Sequence, residues 1–519
     1  MVSPDSSALQ GENVLATPHR RLYKIETCGQ DVGRTRTEQL LGPYVLRELS
    51  MILRICNFKS IKDTQLPLRT GLTVLVGPNG SGKTCALSSL KFVRDLFLRG
   101  AAQAIARSGG RQRVYRHGSS RMQFSIVADY GPRTYRRRST PCTFSWKINI
   151  AQVGKDKAAA VTNETLSIEV AGEGQLFSAS LHRPRGKPHV TVSCTAAEDV
   201  GGDFLNRWPR EYARHPKAIR LKEFIKEIRA SLRRFAKACS DRSFLSWLAR
   251  YDSRIADAYH KLVELDEYNI VPELARASTD QLSVARMEPD GRSVSEVIYA
   301  LEHRQYGRLQ PRPDDVDIEN DWDYPVWSGY NPYGRLYIHR RRYWYMKHDP
   351  MMSALSSINR ELAAAVRPIT GVGAAIDPSN GRRYVKFVSD TDEFRPEEVS
   401  DGTIKWLCIL VSLFVPFAPV YLLEEPENFL HPWMQQRLID LMREQARLAN
   451  TVFVLSSHSA TVLNATKPEE VLLVTQGKSG TKLSSVSNPQ EVQKVLEASK
   501  FHLGDLWVSG ALGGVPSHE

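Results

Sequence analysis

The chain has 519 residues, of which 42% are hydrophobic and 24% charged, enough apolar side chain for a large core and too much for disorder throughout. Lys and Arg total 70 against 57 Asp and Glu, and the resulting net charge of +13 favours an acidic partner such as nucleic acid, nucleotide or anionic lipid. Seven cysteines, no two closer than 28 positions, exclude a CxxC zinc or redox clip and suit a reducing cytoplasm.

Residues 1–50 are mixed and polar, lack the apolar run of a secretory signal, and read as an N-terminal extension, with Met51 as a candidate natural start. A strand is expected over Met51–Asn57 and a buried one over residues 72–76 (LTVLV), followed by a Gly-rich turn and a helix through about Leu98. From Arg94 to Arg138 eleven Arg face two acids, with strand-like stretches at Phe124–Ala128 and Phe144–Ala151, so 51–150 reads as the first half of an α/β unit carrying a basic β-lobe. Residues 151–395 read as a mainly helical insertion: short amphipathic helices over 217–300, an acidic loop over 314–323, and a basic aromatic cluster from Arg335 to His348. Arg136, Arg137 and Arg138, and Arg340, Arg341 and Arg342 with Tyr343 and Trp344, are candidates for phosphate and base contacts, or equally for a protein partner or a solvated face.

The α/β rhythm returns over 396–519, with helices at 403–414 and 432–447 and strands at 420–424, 451–455 and 470–475. Trp406–Leu423 runs 18 residues without a charge, yet Pro416 and Pro419 cut it, so it reads as a buried helix, a turn and a buried strand rather than a membrane span. Both ends of the chain therefore build one sheet.

Gly77-Pro78-Asn79-Gly80-Ser81-Gly82-Lys83-Thr84 fits GxxxxGK[ST] between a buried strand and a helix, the context that phosphate loop requires. The glycines let backbone N–H groups close on phosphates, Lys83 reaches the β and γ oxygens, and Thr84 offers a hydroxyl to Mg²⁺. The apolar strand Val420–Leu423 ends in Glu424 and Glu425; beside a phosphate loop the first suits the metal and the second suits polarising the attacking water. His458 follows the strand over 451–455 and is expected at the same sheet edge, within reach of the γ-phosphate. On their own, a terminal Glu-Glu would be a solvated edge and a lone His a surface residue; Lys83 in the same chain shifts both readings.

Together these residues resemble the ATP-binding-cassette ATPases of the SMC, Rad50 and RecF-like branch, and among them the stand-alone bacterial AAA-type ATPases related to OLD-family and anti-phage defence ATPases. Asn57-Phe58-Lys59-Ser60 is similar to that branch's opening strand motif, Val399-Ser400-Asp401-Gly402-Thr403 to its signature loop, Glu424-Glu425-Pro426-Glu427 to its Walker B, Asn428–Pro432 to its D-loop, and His458 to its switch histidine. The sequence departs from the wider class at Glu424, Asp401 and His431, where Asp, Gly and Asp are common.

The resemblance implies a P-loop ATPase of ABC type, with a mixed sheet flanked by helices, a β-lobe and a large helical insertion. It implies ATP and Mg²⁺ as ligands, with nucleotide contacts from Lys59, Gly77, Asn79, Gly80, Ser81, Gly82, Lys83, Thr84 and Cys85, metal contacts from Thr84 and Glu424, and catalysis by Lys83, Glu425 and His458. It further implies a head-to-head homodimer in which Ser400 and Gly402 reach the partner's nucleotide, a higher oligomer built on that dimer, and a separate effector, a nuclease among the candidates. The expected activity is ATP hydrolysis by a cytoplasmic switch in phage defence or DNA maintenance, with nucleic acid as a candidate ligand. The alternatives are a nucleotide-dependent scaffold and an OLD-like nuclease component, although no DxD pair follows Glu427. Gln112 and Gln123 are the candidates for the glutamine loop.

Overall fold

A computed structural model describes residues 50–130, 141–184 apart from 171 and 173, 187–194, 217–249, 253–281, 285–305, 309, and 350–512 apart from 417 and 500. They belong to one compact unit, Leu46–Glu519. The N-terminal extension up to residue 49, Arg136–Arg138, the acidic loop and the cluster at 335–348 lie outside the described residues.

The first strands are β1 (Ser50–Phe58), β2 (Ile61–Arg69) and β3 (Gly71–Val76). A run of long, alternating strands follows: β4 (Arg121–Tyr130), β5 (Cys142–Val153), β6 (Ala158–Val170), β7 (Gly174–His182) and β8 (His189–Cys194). Later come β9 (Leu265–Tyr268), the small antiparallel sheet β10 (Gly371–Ile376), β11 (Arg383–Val388) and β12 (Glu393–Phe394), then β13 (Val420–Glu424), β14 (Val452–Ser457), β15 (Val471–Gly477) and β16 (Gly480–Ser485). Thirteen of these make one sheet in the order β8-β7-β6-β5-β4-β1-β2-β16-β15-β3-β14-β13-β9. Its β9, β13, β14, β3 and β15 segment is parallel, and the wing from β2 to β8 is antiparallel.

The parallel strands are apolar on both faces, as burial between two helical layers demands. On one face Leu75, Leu422 and Val454 join a core with Ala86, Leu90 and Val93 of the helix Lys83–Arg99. On the other, Val74, Val76, Tyr421, Leu423 and Leu455 pack with Ile404, Trp406 and Leu407 of the helix Asp401–Phe414. Trp406 is fully buried, and each such side chain contributes roughly 1.5–3 kcal/mol. The uncharged stretch 406–423 is thus a core helix and the core strand β13. Among the described residues no helix is long and apolar enough to cross a membrane.

Three features differ from the sequence reading. The border expected at residue 150 runs through β5, and the β-lobe continues to Cys194, so strands β6, β7 and β8 open the segment expected to be mainly helical. Alternation in β6 (AAAVTNETLSIEV) is diluted by Ala, Asn and Glu, which is why it does not stand out as a strand. The helix Lys217–Ala238 has 22 residues and is not short; Ile228, Leu232 and Phe235 bury one side of it against the lobe. Finally, β9 lies in the middle of the chain yet completes the core sheet beside β13.

The lobe and the long helix are tied by two buried ionisable side chains. Arg183 donates to the carbonyls of Val161, Ala236 and Cys239, satisfying the end of the helix where its dipole is negative. Glu164, fully buried, accepts from Trp146 Nε1 at 2.8 Å, Ser243 Oγ at 2.5 Å and the Phe244 N–H at 2.8 Å. Burial pushes its carboxyl up to about 7, against the pull of these donors and of Arg183. The folded chain therefore keeps a proton that the unfolded chain loses near 4.5, and stability should fall by about 3 kcal/mol as pH rises through that window. Glu164→Gln should flatten this slope in chemical denaturation between pH 5 and 8, while costing about 1–3 kcal/mol because an amide N–H then faces another donor; an unchanged slope would show that Glu164 does not set it.

Candidate functional site

Register brings the motifs to one edge. Val76, the last residue of β3, lies level with Ser457 of β14; Leu75 lies level with Ser456, and Ser456 with Glu424 at the end of β13. The phosphate loop, the Glu-Glu pair and His458 thus leave adjacent parallel strands at the same carboxyl ends, where such sheets bind ligands.

The loop from Gly77 to Gly82 is a close-fitting cradle. A Cβ on Gly77 would lie 2.2 Å from the Val474 carbonyl oxygen, and one on Gly82, whose φ is 105°, would lie 2.1 Å from Thr481 Oγ1. Lys83 opens the helix with its ammonium folded over the loop, donating to the carbonyls of Gly77 at 2.7 Å and Pro78 at 3.2 Å. Burial lowers the Lys83 pKa, and the charges of Glu425 and Glu427 oppose that shift. Ser81 Oγ is buried without a hydrogen-bond partner among the described residues. Asn79, Gly80 and Thr84 are exposed and Cys85 half-buried. Lys59, in the turn between β1 and β2, is half-buried with φ 48°; burial lowers its pKa too, and its N–H donates to the Val114 carbonyl at 2.8 Å.

Glu425 follows β13 in the left-handed region, φ 43°, which aims its side chain away from Glu424. Its carboxylate accepts from Asn428 Nδ2 at 3.0 Å and lies 3.4 Å from His458 Nδ1. Lys83, Glu425 and His458 are therefore brought together. Glu424 points elsewhere, toward Lys91 Nζ at 3.6 Å, and the same ammonium lies 3.0 Å from Glu267 of β9. Ser400 caps the helix Asp401–Phe414, its Oγ accepting from the Thr403 N–H at 3.2 Å. Gly402 abuts the next loop, where an added Cβ would lie 2.5 Å from the Phe429 carbonyl oxygen. Among the described residues no hydrogen bond or ion pair joins Ser400 or Gly402 to the phosphate loop.

Several residues to which sequence reasoning gave no role hold this edge. Glu427 is 4% exposed and accepts from Ser457 Oγ at 2.6 Å and the His458 N–H at 3.1 Å, fixing the strand end that carries the histidine. Arg276 pairs with Asp401 and donates to the carbonyls of Val399 at 2.7 Å and Pro396 at 2.9 Å, so it braces the signature loop. Thr481 of β16 packs under the phosphate loop, its Oγ1 3.1 Å from the Ser81 carbonyl oxygen. Only Glu427 carried a sequence signal, its place in EEPE. Neither glutamine candidate reaches the site: Gln112 is exposed on the short helix Arg111–Val114, and Gln123 sits within β4 opposite Cys56. The strand end beside Glu424 belongs instead to β9, with Tyr268 level with Leu423 and Asn269 next in sequence. Among the described residues no cluster of three or more His, Cys, Asp or Glu forms a ready-made metal site.

Residues 53–184 match a family model described as "AAA domain", and residues 300–464 match one described as "AAA domain, putative AbiEii toxin, Type IV TA system". No curated protein matches the chain. Solved structures similar to it include an SMC head bound to the C-winged helix domain of ScpA, 13% identical, with 85% of this chain and 99% of that one covered and a TM-score of 0.41. Another is an SMC head with an extended coiled coil bound to the C-terminal domain of ScpA from Pyrococcus furiosus, at 13% identity, 87% and 100% coverage and a TM-score of 0.39. The SMC head from Thermotoga maritima is 12% identical over 84% of this chain and 99% of that one, with a TM-score of 0.34. With AAA-domain matches over 53–184 and 300–464 and the motifs of both stretches gathered on one mixed sheet, the chain carries the parts of a nucleotide-binding, AAA-type ATPase.

Proposed function

We propose that the protein is an ATP-hydrolysing molecular switch. The observation that carries this reading is the meeting of Lys83, Glu425 and His458 at one sheet edge, with the Glu425 carboxylate held by Asn428 and 3.4 Å from the histidine. The cradle suits a polyphosphate: Gly77 and Gly82 leave no room for side chains, and the Ser81 hydroxyl, buried with no hydrogen-bond partner among the described residues, has a free donor. Thr84, and Glu424 once it leaves Lys91, would supply the hard oxygen ligands that Mg²⁺ prefers, and the ion would neutralise charge on the phosphates.

In this reading Lys83 leaves its two loop carbonyls for the β and γ oxygens. Glu425 accepts a hydrogen bond from a water in line with the γ-phosphorus and takes its proton as the water oxygen bonds to phosphorus and the bond to the ADP oxygen breaks. His458, a neighbour of that carboxylate, donates to the γ-phosphate. Ser400, exposed at the start of its helix, and Phe429 and Trp433, 63% and 44% exposed, form the face through which a second copy would complete the site. ATP then favours the closed homodimer and hydrolysis opens it. The setting that suits such a switch is bacterial defence or DNA maintenance with a separate effector; the toxin–antitoxin description of the second family model is in keeping with the former.

Steady-state hydrolysis by purified protein, with and without duplex DNA, tests this. Glu425→Gln should lower kcat by about 10²–10⁴ while leaving ATP binding intact; equal turnover in the two proteins would refute the assignment, and binding without turnover in the wild type would favour a scaffold. Stimulation by DNA would identify nucleic acid as a ligand. Glu425→Gln should also trap the ATP-bound dimer, seen by light scattering as a doubled mass, and adding Ser400→Arg should return it to the monomer; a mass indifferent to ATP would rule out the sandwich.

A further inference from the structure

Lys405 is 2% exposed, in the second turn of the helix Asp401–Phe414 and two residues beyond the signature loop, followed by the apolar run Trp406–Val411. Its Nζ donates to the backbone carbonyl of Glu425 at 3.0 Å, the same oxygen that accepts the Asn428 N–H at 3.2 Å. The ammonium also lies 5.6 Å from the centroid of the Phe429 ring, within range of its π face. Among the described residues no carboxylate lies within ion-pair distance of it. Burying an ammonium is expensive unless its charge is used. Here that charge faces Glu427, buried with one carboxylate oxygen lacking a hydrogen-bond partner, and Glu425. Burial brings the Lys405 pKa down to about 8, and these two carboxylates work against the shift.

We propose that Lys405 is a positioning residue for hydrolysis: it fastens the turn bearing Glu425 to the signature helix and so fixes where the Glu425 carboxylate points. Glu425 occupies a left-handed conformation that a residue other than glycine holds only when its surroundings enforce it, and the second donor on its carbonyl does so. On the far side of the same turn, Gly402 meets the Phe429 carbonyl so closely that no Cβ fits. The signature helix therefore grips the Glu425–Leu430 turn at both ends. The inference rests on the proposed function for the role of Glu425 and adds a residue that no motif contains.

The test compares full-length wild type, Lys405→Met, Lys405→Arg and Glu425→Gln by two readouts. The first is hydrogen exchange without nucleotide, which needs no activity. Lys405→Met should speed exchange of the Asn428 and Leu430 amides, which bond to the Glu425 and Glu427 carbonyls, by about tenfold or more, leaving β13 unchanged. The second is kinetics: kcat should fall roughly ten- to a hundredfold with KM for ATP within about a factor of two, the signature of a misplaced group rather than lost binding. Lys405→Arg, which keeps a buried donor and charge, should recover most of both. Wild-type exchange and kcat in Lys405→Met would overturn the proposal, as would faster exchange throughout β13, which marks general loosening. Turnover that survives Glu425→Gln would instead overturn the assignment of Glu425, while the exchange result still decides whether Lys405 holds the turn.

Discussion

Everything at the functional edge depends on the parallel register of β3, β14 and β13. Three strands from distant parts of the chain end level, so the phosphate loop, Glu425 and His458 emerge side by side. A slip of one residue would turn every side chain to the opposite face and carry the apolar set out of its helical layer. Burial of both faces forbids that slip: Leu422 and Val454 belong to one core, Leu423 and Leu455 to the other. The hydrophobic layers thus set the geometry of the chemistry, although none of their residues takes part in it.

Electrostatics sharpen that geometry. Two ammonium groups, Lys83 and Lys405, face two carboxylates, Glu425 and Glu427, in surroundings where an unpaired charge would be costly. The backbone supplies much of the balance: Lys83 and Lys405 both donate to carbonyl oxygens, and Glu427 accepts a backbone N–H. Lys83 pays little to leave Gly77 and Pro78 for a phosphate, which offers the same ammonium stronger acceptors. Lys405 has no such alternative and stays where it is.

The motifs were legible because each is a local pattern with a fixed spacing. Gly77–Thr84 and Val420–Glu425 carry both their chemistry and their secondary structure within a few residues, and the helix and strand hidden in 406–423 are marked by their prolines. What could not be read is what the fold joins over long separations. Arg276 bracing Asp401, Thr481 under Ser81 and Lys405 behind Glu425 are ordinary residues in ordinary elements, and only the tertiary arrangement gives them roles. The same holds for β9: four residues, LDEY, half of them acidic, show no strand periodicity, and pairing with β13 makes them one. The strands β6 and β7 escape a sequence reading for a related reason, since they use Ser, Ala, Asn and Glu where such a reading looks for Val and Ile.

The position of β3 bears on how the molecule is made. This apolar strand is synthesised long before its neighbours β14 and β15. As the chain grows from a ribosome, the antiparallel β1-β2 hairpin and the β-lobe can assemble at once from local pairings. The strand bearing the phosphate loop must wait with both edges open. The nucleotide cradle is thus made well before it can be fixed, and until then it is a sticky edge that a chaperone, or a neighbouring nascent chain, can capture.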